Sequence, residues 1–334
     1  MKIILIDYSI LMFQAINSYN ATMEKKDKLI QEGRREEAEQ ILALPSTYIT
    51  MTSIIGSLKK IGYSDEEGDK IILCGDGRNC WRKEIEKSYK GNREEQRSKL
   101  RFVDFDKEFE NHNQQLERIK ENLPMFVIKL DRIEADDIIS EATRYFANNL
   151  CIVVSSDKDF TQLLTYDNVR WYSTHRVYKD HPYKILSLDR NREKELAYKE
   201  LMKKVEIEKT DNLCSPVLNE EDYDKRLMCV SLLDLPQEIK DKIRPELEKI
   251  NVTGKEFFYP EAFSPGIAKR LPSIFGTENI ITYEACRLKM ERKLKKEKKT
   301  TIKPKKSKKT KEVSEPIDRD EVRDDTQSDL YGDR

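Results

Sequence analysis

Three short aliphatic runs constrain the fold of this chain more than any other feature of its sequence. They read IILI at 3–6, IILC at 71–74 and CIVV at 151–154. Each run is too short for a helix and apolar on both faces, which is typical of a central parallel strand covered on both sides. Helical patterns separate the runs, and strands that alternate with helices predict an α/β fold with a doubly wound parallel sheet.

Composition divides the chain into three predicted parts. Residues 1–190 carry the alternating strands and helices of the α/β core, and 191–286 read as a polar helical region. Residues 287–311 hold fourteen basic and two acidic residues, whereas 312–334 hold three basic and nine acidic ones. A segment with this much charge and so few apolar residues cannot form a hydrophobic core. We therefore predict a disordered tail over 287–334.

The cysteines and the hydropathy pattern indicate a reduced, cytoplasmic protein. The six cysteines form no CxxC pair, and several lie within apolar runs. Asp7 interrupts the N-terminal apolar stretch, and no window reaches the roughly 18 apolar residues of a membrane span.

An aspartate follows each aliphatic run within a few residues. Asp7 follows the first run, Asp76 the second, and Asp157 with Asp159 the third. Because the carboxyl ends of parallel strands meet at one edge of a sheet, these acids are expected to converge there. Asp157 and Asp159 are two residues apart, so in extended backbone both side chains point the same way.

Further acids lie in two other segments. In the helical segment RIEADDIISEA, Glu134 and Asp137 share a face while Asp136 projects to the side. These acids also fit an ordinary helix N-terminus, where carboxylates complement the helix dipole, and that alternative stays open. Glu208 and Asp211 are three residues apart in IEKTDN.

So many carboxylates at one edge would repel each other strongly without cations. Oxygen ligands suit Mg²⁺, for which Mn²⁺ can substitute, whereas only three histidines are present and none accompanies these acids, which disfavours zinc. Two such ions about 4 Å apart form the clamp used for phosphodiester cleavage. The candidate metal ligands are Asp7, Asp76, Glu134, Asp136, Asp137, Asp157, Asp159, Glu208 and Asp211.

A basic segment with interleaved aromatic residues follows the second run, from about residue 78 to 101. This composition suits phosphates and unstacked bases, although the glutamates within it also fit an ordinary solvated helix face. The candidate phosphate-stabilising residues are Arg82 and Lys83, and the candidate nucleic-acid-binding residues are Trp81, Tyr89, Lys90 and Arg93.

The order of these motifs resembles the flap endonuclease/5′→3′ exonuclease family, and within it the replication ribonucleases H of T-even-type phages. The resemblance covers about residues 1–215 well and 216–285 weakly. Glu208 stands where the family has aspartate, and no glycine-rich turn follows Asn212, although FSPGIAKRL at 263–271 offers one later. The matching segments are LIDYS around Asp7, Arg82 with YKGNR at 89–93, EADD at 134–137, SSDKDFTQL at 155–163 and EKTDN at 208–212.

The resemblance implies a PIN/5′-nuclease-like core that acts as a Mg²⁺-dependent, structure-specific 5′ nuclease. It implies two metal ions: one held by the acids from Asp7 to Asp137, and one held by Asp157, Asp159, Glu208 and Asp211. The expected substrates are DNA and RNA–DNA hybrids with a 5′ end or flap, such as RNA primers during replication.

We expect a monomer without membrane association, located in the host cytoplasm if a phage encodes it. A single-strand-binding protein or a sliding clamp is a candidate partner. Two alternatives stay open at this point: a PIN-type ribonuclease, which shares the sheet and the acids, and a catalytically inactive nucleic-acid binder.

Overall fold

A computed structural model describes residues 1–174, 218–252 and 258–276, with a few isolated helical residues between 195 and 203. Its centre is a five-stranded sheet in the order β3-β2-β1-β4-β5, in which every pair of neighbouring strands is parallel. The strands are β1 (Lys2–Asp7), β2 (Lys70–Gly75), β3 (Phe126–Lys129), β4 (Leu150–Val154) and β5 (Val169–Tyr172).

Helices connect the strands and continue after the sheet. The helices up to β4 are α1 (Tyr8–Gln31), α2 (Arg35–Gln40), α3 (Ser46–Lys60), α4 (Arg82–Ile85), α5 (Arg93–Ser98), α6 (Phe105–Asn122) and α7 (Ala135–Tyr145). A 3₁₀ helix (Lys158–Thr165) precedes β5, and the later helices are α8 (Glu220–Val230), α9 (Gln237–Val252), α10 (Pro265–Ala268) and α11 (Pro272–Phe275).

The central strands are buried on both faces because alternate side chains enter two different cores. In β1, Ile3 and Leu5 pack with α7, whereas Ile4 and Ile6 pack with α1, α3 and α6. This arrangement confirms the predicted doubly wound parallel sheet and explains why the runs show no polar alternation.

The helices after residue 218 complete both cores. Ile239 and Ile243 of α9 pack with α7 and the sheet, and Phe258 and Leu271 pack on the opposite face. All these residues belong to one compact unit that ends at Cys286. The proposed boundary at 190/191 and the predicted disordered tail, 287–334, lie outside the described residues.

The three predicted strands are confirmed as β1, β2 and β4, each longer than its aliphatic run by one or two residues. The sequence reading missed β3 and β5, which are the short edge strands of the sheet and contain only four residues each. None of the described helices is long and apolar enough to cross a membrane.

Candidate active site

Three aspartates lie at the carboxyl ends of three adjacent strands. Asp7 ends β1 and caps α1, because its carboxylate accepts a hydrogen bond from the Ile10 amide at 3.0 Å. Asp76 follows β2 and Asp157 follows soon after β4, and these two strands flank β1. The structure therefore brings these three candidate residues to one edge of the sheet.

Hydrogen bonds hold these aspartates in place. The Asp76 carboxylate accepts from the amide of Ala135, the first residue of α7, at 2.9 Å. The Ser155 hydroxyl donates to Asp7 at 2.9 Å and accepts from the Asp157 amide at 3.0 Å. One serine thus links the acids that follow β1 and β4.

Four carboxylates at this edge repel one another. Burial and the nearby charges of Asp76 and Asp157 raise the pKa of Asp7 to about 7. Burial also raises the pKa of Asp136 well above its usual value, against the attraction of Lys90 and with repulsion from Asp7 and Asp157. Such like-charge clusters are typical of sites that bind cations or perform acid–base chemistry.

Arg82 neutralises two other candidate acids in the protein interior. Arg82 is 1% exposed, and its guanidinium donates to Glu134 Oε2 at 2.9 Å and to Asp137 Oδ1 at 2.7 Å. The Trp81 indole N–H donates to the second oxygen of Asp137 at 2.9 Å. Asp137 is fully buried, and both of its oxygens are engaged by the protein.

Glu134 has further partners on the same segment. Tyr89 donates its hydroxyl proton to Oε2 at 3.0 Å, and the Lys90 ammonium pairs with Oε1. Burial alone would raise the pKa of Glu134, but the charges of Lys90 and Arg82 lower it to about 2. Glu134 and Asp137 also form a reciprocal capping box at the start of α7, which confirms the helix-terminus alternative for these two acids.

Two loops that are joined by backbone hydrogen bonds place the basic segment at this position. Gly77 donates its amide to the Ile133 carbonyl at 2.8 Å, and Trp81 donates to the Arg132 carbonyl at 3.0 Å. The backbones approach so closely at Gly77 that a Cβ would lie 1.8 Å from the Leu130 carbonyl oxygen. A glycine is therefore required at this position.

The remaining candidates occupy different environments. Lys83 is exposed, and Arg93 is partly exposed. Trp81 and Tyr89 are buried. The Asp159 amide donates to the Asp157 carboxylate at 2.9 Å in the first turn of the 3₁₀ helix. Glu208 and Asp211 lie outside the described residues.

The chemistry of the donor set fits a hard divalent cation. Among the residues that the structure describes, no three Asp, Glu, His or Cys side chains are close enough together to hold a metal ion. Asp7, Asp76, Asp136 and Asp157 are nevertheless mutually repelling oxygen donors, which is the chemistry that Mg²⁺ relieves.

A cleft of about 810 Å³ opens beside these acids. It extends from Asp76 along the start of α1, the basic segment and α6. Its wall mixes acidic and aromatic residues with six cationic side chains, a composition that suits a polyanion. These cationic residues are Arg78, Lys83, Lys90, Arg93, Arg97 and Lys129.

Sequence reasoning missed several residues of this cleft, notably Phe13, Arg97, Phe109 and Lys129. Two spacings could have indicated part of this set. Arg93 and Arg97 are four residues apart on α5, and Phe105 and Phe109 are four apart on α6. Each pair therefore shares a helix face.

This chain is similar to several known proteins. A family model described as the 5′-3′ exonuclease N-terminal resolvase-like domain matches residues 2–195. The ribonuclease H of Enterobacteria phage T4 is 32% identical over 133 residues. That match covers 38% of this chain, and the chain spans 42% of the length of the T4 protein.

Solved structures of phage T5 proteins are also similar. The T5 D15 protein co-crystallised with metal ions is 17% identical, with a TM-score of 0.44 over 74% of this chain and 99% of that chain. The T5 D15 flap endonuclease in a pseudo-enzyme-product complex with DNA and metal ions is 16% identical, with a TM-score of 0.44 over 76% of this chain and 100% of that chain. Because the family model matches more than half of the chain, this chain belongs to the 5′-3′ exonuclease family that carries this N-terminal resolvase-like domain.

Proposed function

We propose that this protein is a divalent-metal-dependent, structure-specific 5′ nuclease that hydrolyses phosphodiester bonds at the carboxyl edge of its sheet. The observation that carries the proposal is the cluster of four mutually repelling carboxylates, Asp7, Asp76, Asp136 and Asp157, beside a cleft whose wall holds six cationic and five acidic side chains. The family match favours this activity over that of a PIN-type ribonuclease.

The candidate ligands divide into two groups according to their partners. Asp7, Asp76 and Asp136 would hold the first Mg²⁺ directly. Glu134 and Asp137 are also candidates for this ion, but both form ion pairs with Arg82. We therefore assign them a structural role, in which they hold the basic segment against α7. Asp157 and Asp159, together with Glu208 and Asp211, would hold the second ion.

The cationic residues would act on the substrate. When bound, the ions would supply an activated water and would stabilise charge on the phosphate and the departing oxygen. Lys83 and Arg93 line the cleft without an ion pair among the described residues, so they are available to bind phosphate oxygens. Arg82 acts indirectly, because its guanidinium is engaged by two buried carboxylates.

The proposed substrates are DNA and RNA–DNA hybrids with a 5′ end or a flap. What supports them is the similarity to a ribonuclease H from phage T4 and the match to the 5′-3′ exonuclease family. Removal of RNA primers during replication, as a monomer that works with a single-strand-binding protein or a clamp, is the corresponding proposed role.

The test is a cleavage assay with a 5′-labelled flap and an RNA–DNA hybrid, in Mg²⁺ and in EDTA. Asp157→Asn removes one carboxylate charge with little change in shape, so it should lower turnover at least about a hundredfold in Mg²⁺. Its binding of the flap in Ca²⁺ should persist. Asp131→Asn, a change at an exposed acid near the same edge, is the matched control and should retain turnover.

Two results would contradict the proposal. Near-native turnover of Asp157→Asn would contradict the assignment of these carboxylates as metal ligands. Binding of the flap without cleavage by the unmodified protein, in either Mg²⁺ or Mn²⁺, would instead indicate an inactive nucleic-acid binder.

A further inference from the structure

Ser155 lies directly after β4, between two acids of the candidate active site. Its hydroxyl donates to Oδ2 of Asp7 at 2.9 Å and accepts from the backbone amide of Asp157 at 3.0 Å. Because an amide N–H can only donate, the oxygen of Ser155 accepts from Asp157, and its single proton is left for the carboxylate of Asp7. The direction of both hydrogen bonds is therefore fixed.

Each of these two acids also has a local hydrogen bond. Oδ1 of Asp7 accepts from the amide of Ile10 at 3.0 Å, and Oδ1 of Asp157 accepts from the amide of Asp159 at 2.9 Å. The partners in each of these bonds are only two or three residues apart in the sequence. The hydroxyl of Ser155 instead joins segments that are 148 residues apart. It therefore determines how the end of β1 and the segment after β4 lie relative to each other.

The backbone of Ser155 is held by the neighbouring strand. Its amide donates to the carbonyl of Tyr172 at 3.2 Å, and its carbonyl accepts from the indole N–H of Trp171 at 3.0 Å. Both of these partners are buried residues of β5, and Ser155 itself is fully buried. The sheet thus holds the serine hydroxyl in one place between the two acids.

We infer that Ser155 is a positioning residue that sets the relative placement of two metal ligands, Asp7 and Asp157. In the proposed function, Asp7 belongs to the first ion and Asp157 to the second, so this hydroxyl couples the two ion positions. Residues that hydrogen-bond to metal ligands commonly change metal affinity by about tenfold to hundredfold. The inference rests on the proposed function and adds to it the residue that joins its two ion positions.

A purely structural role for Ser155 predicts different behaviour. If its hydroxyl only stabilised the fold, its replacement would lower thermal stability and leave metal binding by the folded protein unchanged. A positioning role predicts weaker metal binding by a protein that remains folded. The deciding quantity is therefore the affinity for a divalent cation without nucleic acid, compared with that of a variant that has lost an equivalent buried hydroxyl.

Ser140 on α7 provides the matched control. It is also fully buried, and its hydroxyl donates to the carbonyl of Leu232 and accepts from the guanidinium of Arg144 at 2.7 Å. Ser140 therefore makes one donated and one accepted hydrogen bond, as Ser155 does, but neither partner is an acid of the site. Ser140→Ala and Ser155→Ala should both lower the midpoint of thermal unfolding in EDTA, whereas only Ser155→Ala should bind metal more weakly.

The probe is Mn²⁺ alone, added to the full chain without nucleic acid, and the free ion is measured by electron paramagnetic resonance. We expect Ser155→Ala to raise the dissociation constant for Mn²⁺ by about tenfold to hundredfold. Ser140→Ala should keep the dissociation constant of the unmodified protein, and Ser155→Thr, which keeps the hydroxyl, should retain most of the affinity. In an Asp7→Asn background, Ser155→Ala should have a much smaller effect, because the carboxylate that the serine places is already gone.

Equal Mn²⁺ affinities of folded Ser155→Ala and Ser140→Ala, together with Mn²⁺ binding and flap cleavage by the unmodified protein, would overturn this inference and leave the proposed function in place. An effect of Ser155→Ala that is the same with Asp7 and with Asp7→Asn would also overturn it, as would a folded Ser155→Thr variant that binds Mn²⁺ as weakly as Ser155→Ala. Failure of the unmodified protein to bind Mn²⁺ at all would contradict both proposals.

Discussion

The carboxylate of Asp7 is buried close to two other negative charges, which is unfavourable in a protein without a bound cation. Its pKa is raised to about 7, so the folded metal-free protein binds a proton there that the unfolded chain releases above about 4. The stability of the metal-free protein should therefore rise as the pH falls from about 8 through 7. We expect Asp7→Asn to reduce this slope and to raise stability at pH 8 by on the order of 2 kcal/mol.

The measurement is thermal unfolding of both proteins in EDTA between pH 5 and 8.5. Added Mg²⁺ should remove most of the difference, because it stabilises only the protein that retains the carboxylate. If the stabilities of the two proteins in EDTA depended on pH in the same way, the Asp7 carboxylate would not be the group that lowers stability at high pH.

The aspartates at the sheet edge were predictable because they follow the strands directly in the sequence. The positions of Trp81 and Tyr89 were not. Aromatic residues in a basic segment predict contact with bases, but here both are buried and donate hydrogen bonds to Asp137 and Glu134. The sequence cannot reveal such partners, since they lie about 50 residues away along the chain.

Short helix α4 is joined to the start of α7 by the buried pairs of Arg82. Removal of one partner from a buried pair leaves an uncompensated charge, at a cost of about 3–5 kcal/mol. We expect Arg82→Met to lower the free energy of unfolding by about that amount. Lys83→Met, which changes the exposed neighbour on the same helix, should alter it by less than about 0.5 kcal/mol.

Urea unfolding of the two variants checks this expectation. A stable Arg82→Met variant that has lost only turnover would contradict it and would support direct contact of Arg82 with a phosphate.

Helices α1, α3 and α6 are linked by a buried histidine. His112 Nδ1 lies 2.8 Å from the Tyr8 hydroxyl, and Nε2 lies 2.9 Å from the Ser46 hydroxyl. Because Ser46 donates to Glu108, its oxygen accepts from Nε2–H, and in the neutral imidazole Nδ1 then accepts from Tyr8. The network therefore fits a neutral imidazole.

Burial lowers the pKa of His112 to about 4, so the unfolded chain takes up this proton first as the pH falls. Stability from this group should be lost between about pH 6.5 and 4, by roughly 2–3 kcal/mol. His112→Gln should remove that loss. The check is urea unfolding of both proteins from pH 7 to 4, in which coinciding pH dependences would exclude the histidine as the cause.

Among the secondary-structure elements, the edge strands are the ones that the sequence alone does not predict. The central strands are covered on both faces, so they read as continuous aliphatic runs. Strands β3 and β5 contain Lys129 and Arg170 within only four residues, and each pairs with a single neighbour. Their strand conformation depends on the register offered by β2 and β4, which is a tertiary effect rather than a local preference.

For the whole molecule, the notable property is an uneven distribution of charge within a chain of zero formal net charge. Residues 287–311 carry fourteen basic and two acidic residues, and 312–334 carry nine acidic and three basic ones. The basic segment can neutralise phosphates, while the acidic segment can compete for it at low salt. The two segments should therefore have opposite effects on nucleic-acid binding.

Each phosphate neutralised on a duplex releases counterions, which steepens the fall of log affinity with log salt by about 0.9. Deletion of 287–334 should thus weaken binding of a flap substrate at low salt and flatten its salt dependence. Deletion of 312–334 alone should tighten binding, because the competing acids are lost. The three forms are compared on one flap across a salt series in Ca²⁺, and identical slopes for the full chain and the longer deletion would mean that these residues do not contact the substrate.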